Sequence, residues 1–197
     1  MSGSTPSRSI TGIILTGFMG AGKTTAGALL AQRLGWDFAD SDDRVETRAA
    51  MTVAEIFERR GEAVFRELEA DAIREAASEE RLVLALGGGA LESAATREWL
   101  ASLASVRIVF LDAPFDTLVG RCAGQQNAPE RPVLRDLDRL ADRWKARQPL
   151  YQQAHLRVET AERTPEAVVD CIVKELFGRA AEPVGAGAPD RAPGGRK

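Results

Sequence analysis

The sequence predicts an α/β domain in which a parallel β-sheet is covered by helices on both faces. Two observations carry that prediction. Short apolar runs recur at Ile13 to Leu15, Leu82 to Leu86 and Val106 to Leu111, each followed by a turn signal and then by apolar residues at helical spacing. Runs of that kind are strands buried on both faces, and their alternation with helices marks parallel βαβ units. The second observation is a glycine-rich segment, Gly17-Phe18-Met19-Gly20-Ala21-Gly22-Lys23-Thr24, set between the first run and the helical stretch Thr25 to Leu34. Its glycines permit a loop whose backbone N–H groups face inward toward an anion, at the positive end of the helix that follows.

The other elements follow in order. Trp36-Asp37-Phe38-Ala39-Asp40 reads as a second strand, running into Asp40-Ser41-Asp42-Asp43. Phe65, Leu68, Glu69 and Ala72 keep helical spacing, which puts Arg66 beside Glu62 and Glu69. The strand Leu82 to Leu86 leads into Gly87-Gly88-Gly89. Between Arg121 and Leu134 the chain has no apolar period, two prolines and several amides, the composition of a mobile loop. Leu137, Leu140, Ala141 and Trp144 define an amphipathic helix with Arg139, Arg143 and Arg147 along its other side, and Pro149 is expected to end it soon after Arg147. Leu156 to Thr160 is a fifth strand, with His155 as its first residue rather than a catalytic base. Thr164-Pro165 opens a last helix, an N-cap followed by proline at the first helical position, running to about Phe177. Residues 1–9 are expected to be flexible, 10–177 to form one domain, and 178–197, rich in Gly, Ala, Pro and Arg, to be disordered.

Composition narrows the function classes. A net charge of −3 and a pI near 5.4 give no broad attraction to nucleic acid or anionic lipid, so an anion site must be local. No apolar stretch approaches a membrane span and the first residues lack a signal-peptide core, which predicts a cytoplasmic protein. Cys122 and Cys171 are far apart without metal-ligand spacing, and are expected as reduced thiols.

Parallel sheets bind ligands beyond the carboxyl ends of their strands. The glycine-rich loop, Asp40 to Asp43 and Gly87 to Gly89 each follow a strand, so they should meet at one edge. In the loop, Lys23 can reach the β- and γ-phosphates of a nucleoside triphosphate and the Thr24 hydroxyl can ligate Mg²⁺. No Asn/Thr-Lys-x-Asp segment is present to read guanine, which favours adenine. Asp40 and Asp42 leave the end of a strand on the same side, so one could hold a Mg²⁺ water while the other addresses a substrate hydroxyl. Capping of the next helix is the competing role for these aspartates, and Asp43 fits it best. Arg66, Arg131 and Arg147 each also read as ordinary surface or salt-bridged side chains. Their positions suggest more, since Arg131-Pro132 sits in the loop that could close over phosphates, and Arg66 and Arg147 could grip a substrate carboxylate.

Taken in order, GFMGAGKTT at Gly17 to Thr25, DSD at Asp40 to Asp42, GEAVFRELE at Gly61 to Glu69, GGGA at Gly87 to Ala90, RPVL at Arg131 to Leu134 and ARQPLY at Ala146 to Tyr151 resemble shikimate kinase. The resemblance spans about Ile10 to Phe177. It implies a P-loop NTPase fold, with a five-stranded parallel sheet of the nucleoside monophosphate kinase kind and a mobile lid. It implies transfer of the ATP γ-phosphoryl group to the 3-hydroxyl of shikimate, on the route to chorismate and the aromatic amino acids. By resemblance, Lys23 and the amides of Gly20, Ala21, Gly22, Thr24 and Thr25 hold the ATP phosphates, Thr24 ligates Mg²⁺ directly and Asp40 does so through water. Asp42 binds the ring hydroxyls and takes the proton, acting with Lys23 and the lid residue Arg131. Arg66 and Arg147 grip the carboxylate beside Gly87, Gly88 and Gly89, with Gly88 contributing its amide. Arg121 and Arg163 match nucleotide-contacting positions, and the enzyme is expected to be a monomer.

Some residues depart from the family pattern. Ala50 stands where glycine is usual, so the turn there must avoid positive φ or accept modest strain. Val133 replaces a leucine in the lid motif, the lid is long, and the tail from Gly178 has no counterpart in compact members. Two other readings compete. A related small-acid kinase such as gluconate kinase shares the loop and sheet, but FRxxE and RPxL argue against it. A ligand-sensing module without turnover would show an appended DNA-binding region or erosion of Lys23, Thr24, Asp40 or Arg131, and neither is seen.

Overall fold

In the computed structural model, residues 9–124 and 136–178 are described. Arg131, the lid motif and the tail therefore lie outside the described residues. Five strands, β1 (Gly12–Thr16), β2 (Asp37–Asp40), β3 (Leu82–Ala85), β4 (Val106–Asp112) and β5 (Leu156–Glu159), form one parallel sheet in the order β2-β3-β1-β4-β5. All five predicted strands are present, each within about two residues of its expected bounds. Successive strand residues point to opposite faces, and Ile13, Ile14 and Leu15 are at most 1% exposed, so both faces of the sheet are covered.

The helices are α1 (Lys23–Leu34), α2 (Ser41–Ala49), α3 (Val53–Ala76), α4 (Ala94–Ser102), α5 (Phe115–Ala123), α6 (Leu137–Tyr151) and α7 (Pro165–Phe177), with a 3₁₀ turn at Ala90–Glu92. The main core is built from β1, β3 and β4 with Leu30, Leu100, Leu118, Leu140, Ile172 and their neighbours. A second, smaller core of Val45, Ile56, Phe65 and Ala72 joins α2 to α3 beside the sheet. Within α3 the backbone kinks at Gly61, whose φ of 82° and ψ of 170° are not helical. Thr52 and Glu55 form a reciprocal capping box at the start of that helix.

Several expectations were refined. The Thr164 hydroxyl caps α7 with Pro165 in its first turn, as its sequence predicts. The proline in α6 does not stop the helix, which continues through Pro149 to Tyr151. The missing N–H of Pro149 removes one hydrogen bond, but Tyr151 is buried and its ring stacks on Phe110 at 5.2 Å, which holds the last turn in place. The cap of α2 is Asp40 rather than Asp43: the Asp40 side chain accepts from the Asp42 N–H at 3.0 Å, while Asp43 lies exposed in the first turn. Ala50 takes the left-handed conformation, φ 50° and ψ 36°, so the strained alternative is realised. His155, just before β5, ties that edge to β4, its backbone N–H donating to Ile108 O at 2.9 Å and its ring Nδ1 accepting from Ile108 N at 3.0 Å. Burial and the nearby Arg107 push its pKa down, consistent with a neutral structural ring.

Candidate active site

The chain runs from central β1 out to β2, returns to β3 and then crosses to β4, so the strand order reverses beside β1. At that switch point a cleft of about 1350 Å³ opens beyond the carboxyl ends of the strands. It is lined by Gly20 to Ala26, Asp40, Asp42, Gly87 to Gly89, Arg121, Arg147 and Arg163 among others. The three segments expected at one edge do meet there.

On one side lies the phosphate-binding loop. Gly20 and Gly22 take φ of 77° and 89°, values that side chains resist and that turn the loop back onto the N-terminus of α1. Lys23 Nζ donates to Gly17 O at 2.8 Å and Phe18 O at 3.1 Å, which folds the ammonium over the loop it must serve. The Thr24 hydroxyl donates to Asp40 Oδ2 at 3.1 Å, while Asp40 Oδ1 caps α2. One carboxylate thus ties the loop to the segment carrying Asp42. A hydroxyl and a carboxylate side by side are hard oxygen donors suited to Mg²⁺, which uses few protein ligands and keeps phosphate and water in its shell.

Asp42 stands between this loop and the glycine segment. Burial, reinforced by the carboxylates of Asp40 and Glu69 and opposed by Lys23, raises its pKa to about 6. Its Oδ1 is buried and accepts no hydrogen bond among the described residues, and the same holds for Glu69 Oε1. Both oxygens crowd Gly87: a Cβ there would stand 2.6 Å from Asp42 Oδ1 and 2.7 Å from Glu69 Oε1. Only glycine fits, and its N–H donates to Ser41 Oγ at 2.8 Å. Two orphaned carboxylate oxygens at one point call for donors from a ligand or from water, because buried acceptors are seldom left unmet.

The arginines converge beyond them. Arg66 donates to Glu69 Oε2 at 2.7 Å and to Glu62 Oε1 at 3.2 Å. A Cβ on Gly89 would meet Arg66 Nη2 at 2.7 Å and Arg147 Nη2 at 3.0 Å, so both guanidinium groups reach the same small space. Arg147 also lies over the Phe18 ring, 5.7 Å from its centroid. Its Nε donates to Glu92 Oε1 at 2.7 Å. Tyr151 donates to Gly88 O at 2.5 Å and fixes the glycine segment against α6.

Arg121 lines the cleft, but it also fastens its wall. It donates to Thr160 Oγ1 at 3.0 Å, to Thr160 O, and to Ala161 O at 3.1 Å, holding the loop after β5 where Arg163 sits. The residues not singled out by sequence reasoning are Ser41, Glu69, Glu92 and Tyr151. For Glu69 a signal existed, because a glutamate on the apolar stripe of Phe65, Leu68 and Ala72 has to be buried. It is 3% exposed, and burial raises its pKa against the pull of Arg66.

A family model described as shikimate kinase matches residues 19–177. The shikimate kinase of Psychrobacter arcticus is 41% identical over 167 residues, covering 83% of this chain and 88% of the relative. That of Symbiobacterium thermophilum is 43% identical over 171 residues, covering 85% and 97%. Among solved structures, shikimate kinase from Acinetobacter baumannii in complex with shikimate superposes with a TM-score of 0.79 at 35% identity, covering 89% of this chain and 97% of that one. With the motifs, the sheet order and these matches in agreement, the chain belongs to the shikimate kinase family.

Proposed function

We propose that this protein transfers the γ-phosphoryl group of ATP to the 3-hydroxyl of shikimate, releasing shikimate 3-phosphate and ADP. The observation that carries the reading is the buried, unmet Asp42 Oδ1, set between the phosphate-binding loop and two arginines that converge over Gly89. A hydroxyl donor fits the first and a carboxylate the second, and shikimate has both.

In this reading the loop amides and the N-terminus of α1 hold the triphosphate, and Lys23 leaves its loop carbonyls to meet the β- and γ-phosphates. Thr24 and Asp40 would hold Mg²⁺, which neutralises phosphate charge. Asp42 accepts the hydrogen bond of the attacking hydroxyl and takes its proton as the new P–O bond forms and the bond to ADP breaks. A base whose pKa lies near 6 is ionised at neutral pH yet still basic enough for that step. Arg66 and Arg147 bind the acceptor's carboxylate, with the Gly88 amide as a further donor and Glu69 orienting Arg66. Arg121 and Arg163 border the nucleotide end of the cleft, and Arg131, outside the described residues, is assigned to the ATP phosphates by its match to the family motif alone. The enzyme is assigned as a monomer.

A coupled assay for ADP release with shikimate, quinate, gluconate or no acceptor tests the assignment. Shikimate alone should support rapid turnover. Activity with gluconate and none with shikimate would overturn it.

A further inference from the structure

Glu92 ends the short turn that follows the glycine segment, and nothing in the proposed reaction uses it. Its two carboxylate oxygens face different arginines: Oε1 accepts from Arg147 Nε at 2.7 Å and Oε2 lies 3.7 Å from Arg66 Nη2. We propose that Glu92 is the internal counter-ion of the acceptor clamp, a carboxylate that an acidic acceptor must displace and that thereby sets the acceptor's affinity. The inference rests on the reading of Arg66 and Arg147 as that clamp.

Charge within the clamp supports it. Two guanidinium groups already face three carboxylates, those of Glu62, Glu69 and Glu92. Two positive and three negative charges leave the cluster at net −1, so an incoming carboxylate is opposed until one resident anion turns away, which brings the cluster to neutrality. Glu69 is buried and held by Arg66, and Glu62, though 65% exposed, pairs only with Arg66 among the described residues, so its departure would leave Arg147 still engaged. Glu92 can turn away, because its side chain is 44% exposed while its backbone is fixed: Arg97 Nη1 donates to the carbonyls of Leu91 and Glu92 at 2.5 and 3.0 Å. Side-chain rotation alone turns the carboxylate to water. The arginines then exchange one carboxylate for another, and both stay aligned over Gly89 before and after. Because the Glu92 carboxylate pairs with Arg147 and Arg66 and is not among the charges that act on Asp42, this exchange changes ground-state and transition-state binding alike.

The test compares the full chain with Glu92→Gln and Glu92→Ala, using steady-state kinetics and direct titration with shikimate and with its neutral methyl ester. Both variants should lower KM and Kd for shikimate by about threefold to fivefold, the size of one partly exposed charge interaction. Turnover at saturation, KM for ATP and affinity for the ester should stay unchanged. Unchanged or weaker shikimate binding in Glu92→Gln, or equal tightening toward the ester, overturns the proposal. Absence of shikimate turnover in the unmutated chain would sink the kinase reading instead, while the acid-against-ester titration would still judge Glu92.

Discussion

The two halves of the cleft are built on different principles. On the proposed nucleotide side, the groups on offer belong to the backbone: glycines in a continuous loop, the end of one helix, and the buried strand β1 at the centre of the main core. On the proposed acceptor side, they are side chains drawn from α2, α3 and α6 around the backbone of the glycine segment, tied by ion pairs and supported by a small separate core. The first half is preformed by local sequence. The second exists only when four elements meet, and it carries the kink at Gly61 and the strained Ala50. Phe18 joins them, since its carbonyl holds Lys23 and its ring lies under Arg147.

The largest effect should come where the halves meet. Asp42→Asn is expected to lower kcat by about a thousandfold or more, with circular dichroism unchanged, because the base disappears and its hydrogen-bonding shape stays. Near-normal turnover would remove Asp42 from the chemistry. Lys23→Ala should be similarly severe, but on the nucleotide side, with loss of ATP binding as well.

Arg66→Ala should separate the halves. Loss of one charge-assisted partner of a buried carboxylate is worth about 2–4 kcal/mol, or roughly 30- to 1000-fold in KM for shikimate. KM for ATP should hardly move. If both constants rose together, Arg66 would be acting through the fold of the α2–α3 unit rather than through the clamp. Lysine at this position should rescue poorly, since it cannot serve Glu69 and a ligand with one planar fork.

How much of this was legible beforehand follows the same division. The phosphate loop is contiguous, so its glycines, Lys23 and Thr24 announced it, and the apolar runs announced all five strands. The cap of α2 was misassigned to Asp43 because a run of three acidic residues offers several caps, and only the chain's exit angle from β2 chooses Asp40. The persistence of α6 past Pro149 depended on Tyr151 finding Phe110, a contact between residues remote in sequence. Arg66 and Arg147 were named from their positions and again from the family resemblance, but that both reach Gly89 is tertiary information. Glu92 carried no signal at all, since a glutamate after a glycine run reads as surface.

Asp42 also links activity to stability through pH. Its folded pKa, about 6, lies above the ordinary value of 3.8. The native protein therefore holds the proton more tightly than the unfolded chain. The fold loses stability as pH rises from about 4 to 6, and that loss is complete above pH 6. Without ligands, Asp42→Asn should accordingly be more stable than the parent at pH 8 by on the order of 1–3 kcal/mol, a difference that fades below pH 4. In the parent, kcat/KM should fall along an acid limb centred near pH 6. A limb near pH 4 would mean that Asp42 is an ordinary surface carboxylate.

The smallest predicted effect tests whether the acceptor half is energetically separate. Ala50 ends α2 at φ 50°, with its N–H bonded to Glu46 O, in the place where an L side chain crowds the following carbonyl. Ala50→Gly removes that strain, worth about 1–2 kcal/mol, and in exchange leaves the unfolded chain freer by about 0.5–1 kcal/mol. The net gain should be about 0.5–1 kcal/mol, the usual advantage of glycine at a left-handed helix end. Where that gain appears is the informative part. If α2 and α3, with their own small core, open as a unit before the sheet does, hydrogen exchange should slow for amides of α2 and α3 and remain unchanged in β1, β3 and α1. Slowing that spreads equally through the central strands would show one cooperative block, and the contrast between the two halves would then be one of construction without a difference in stability.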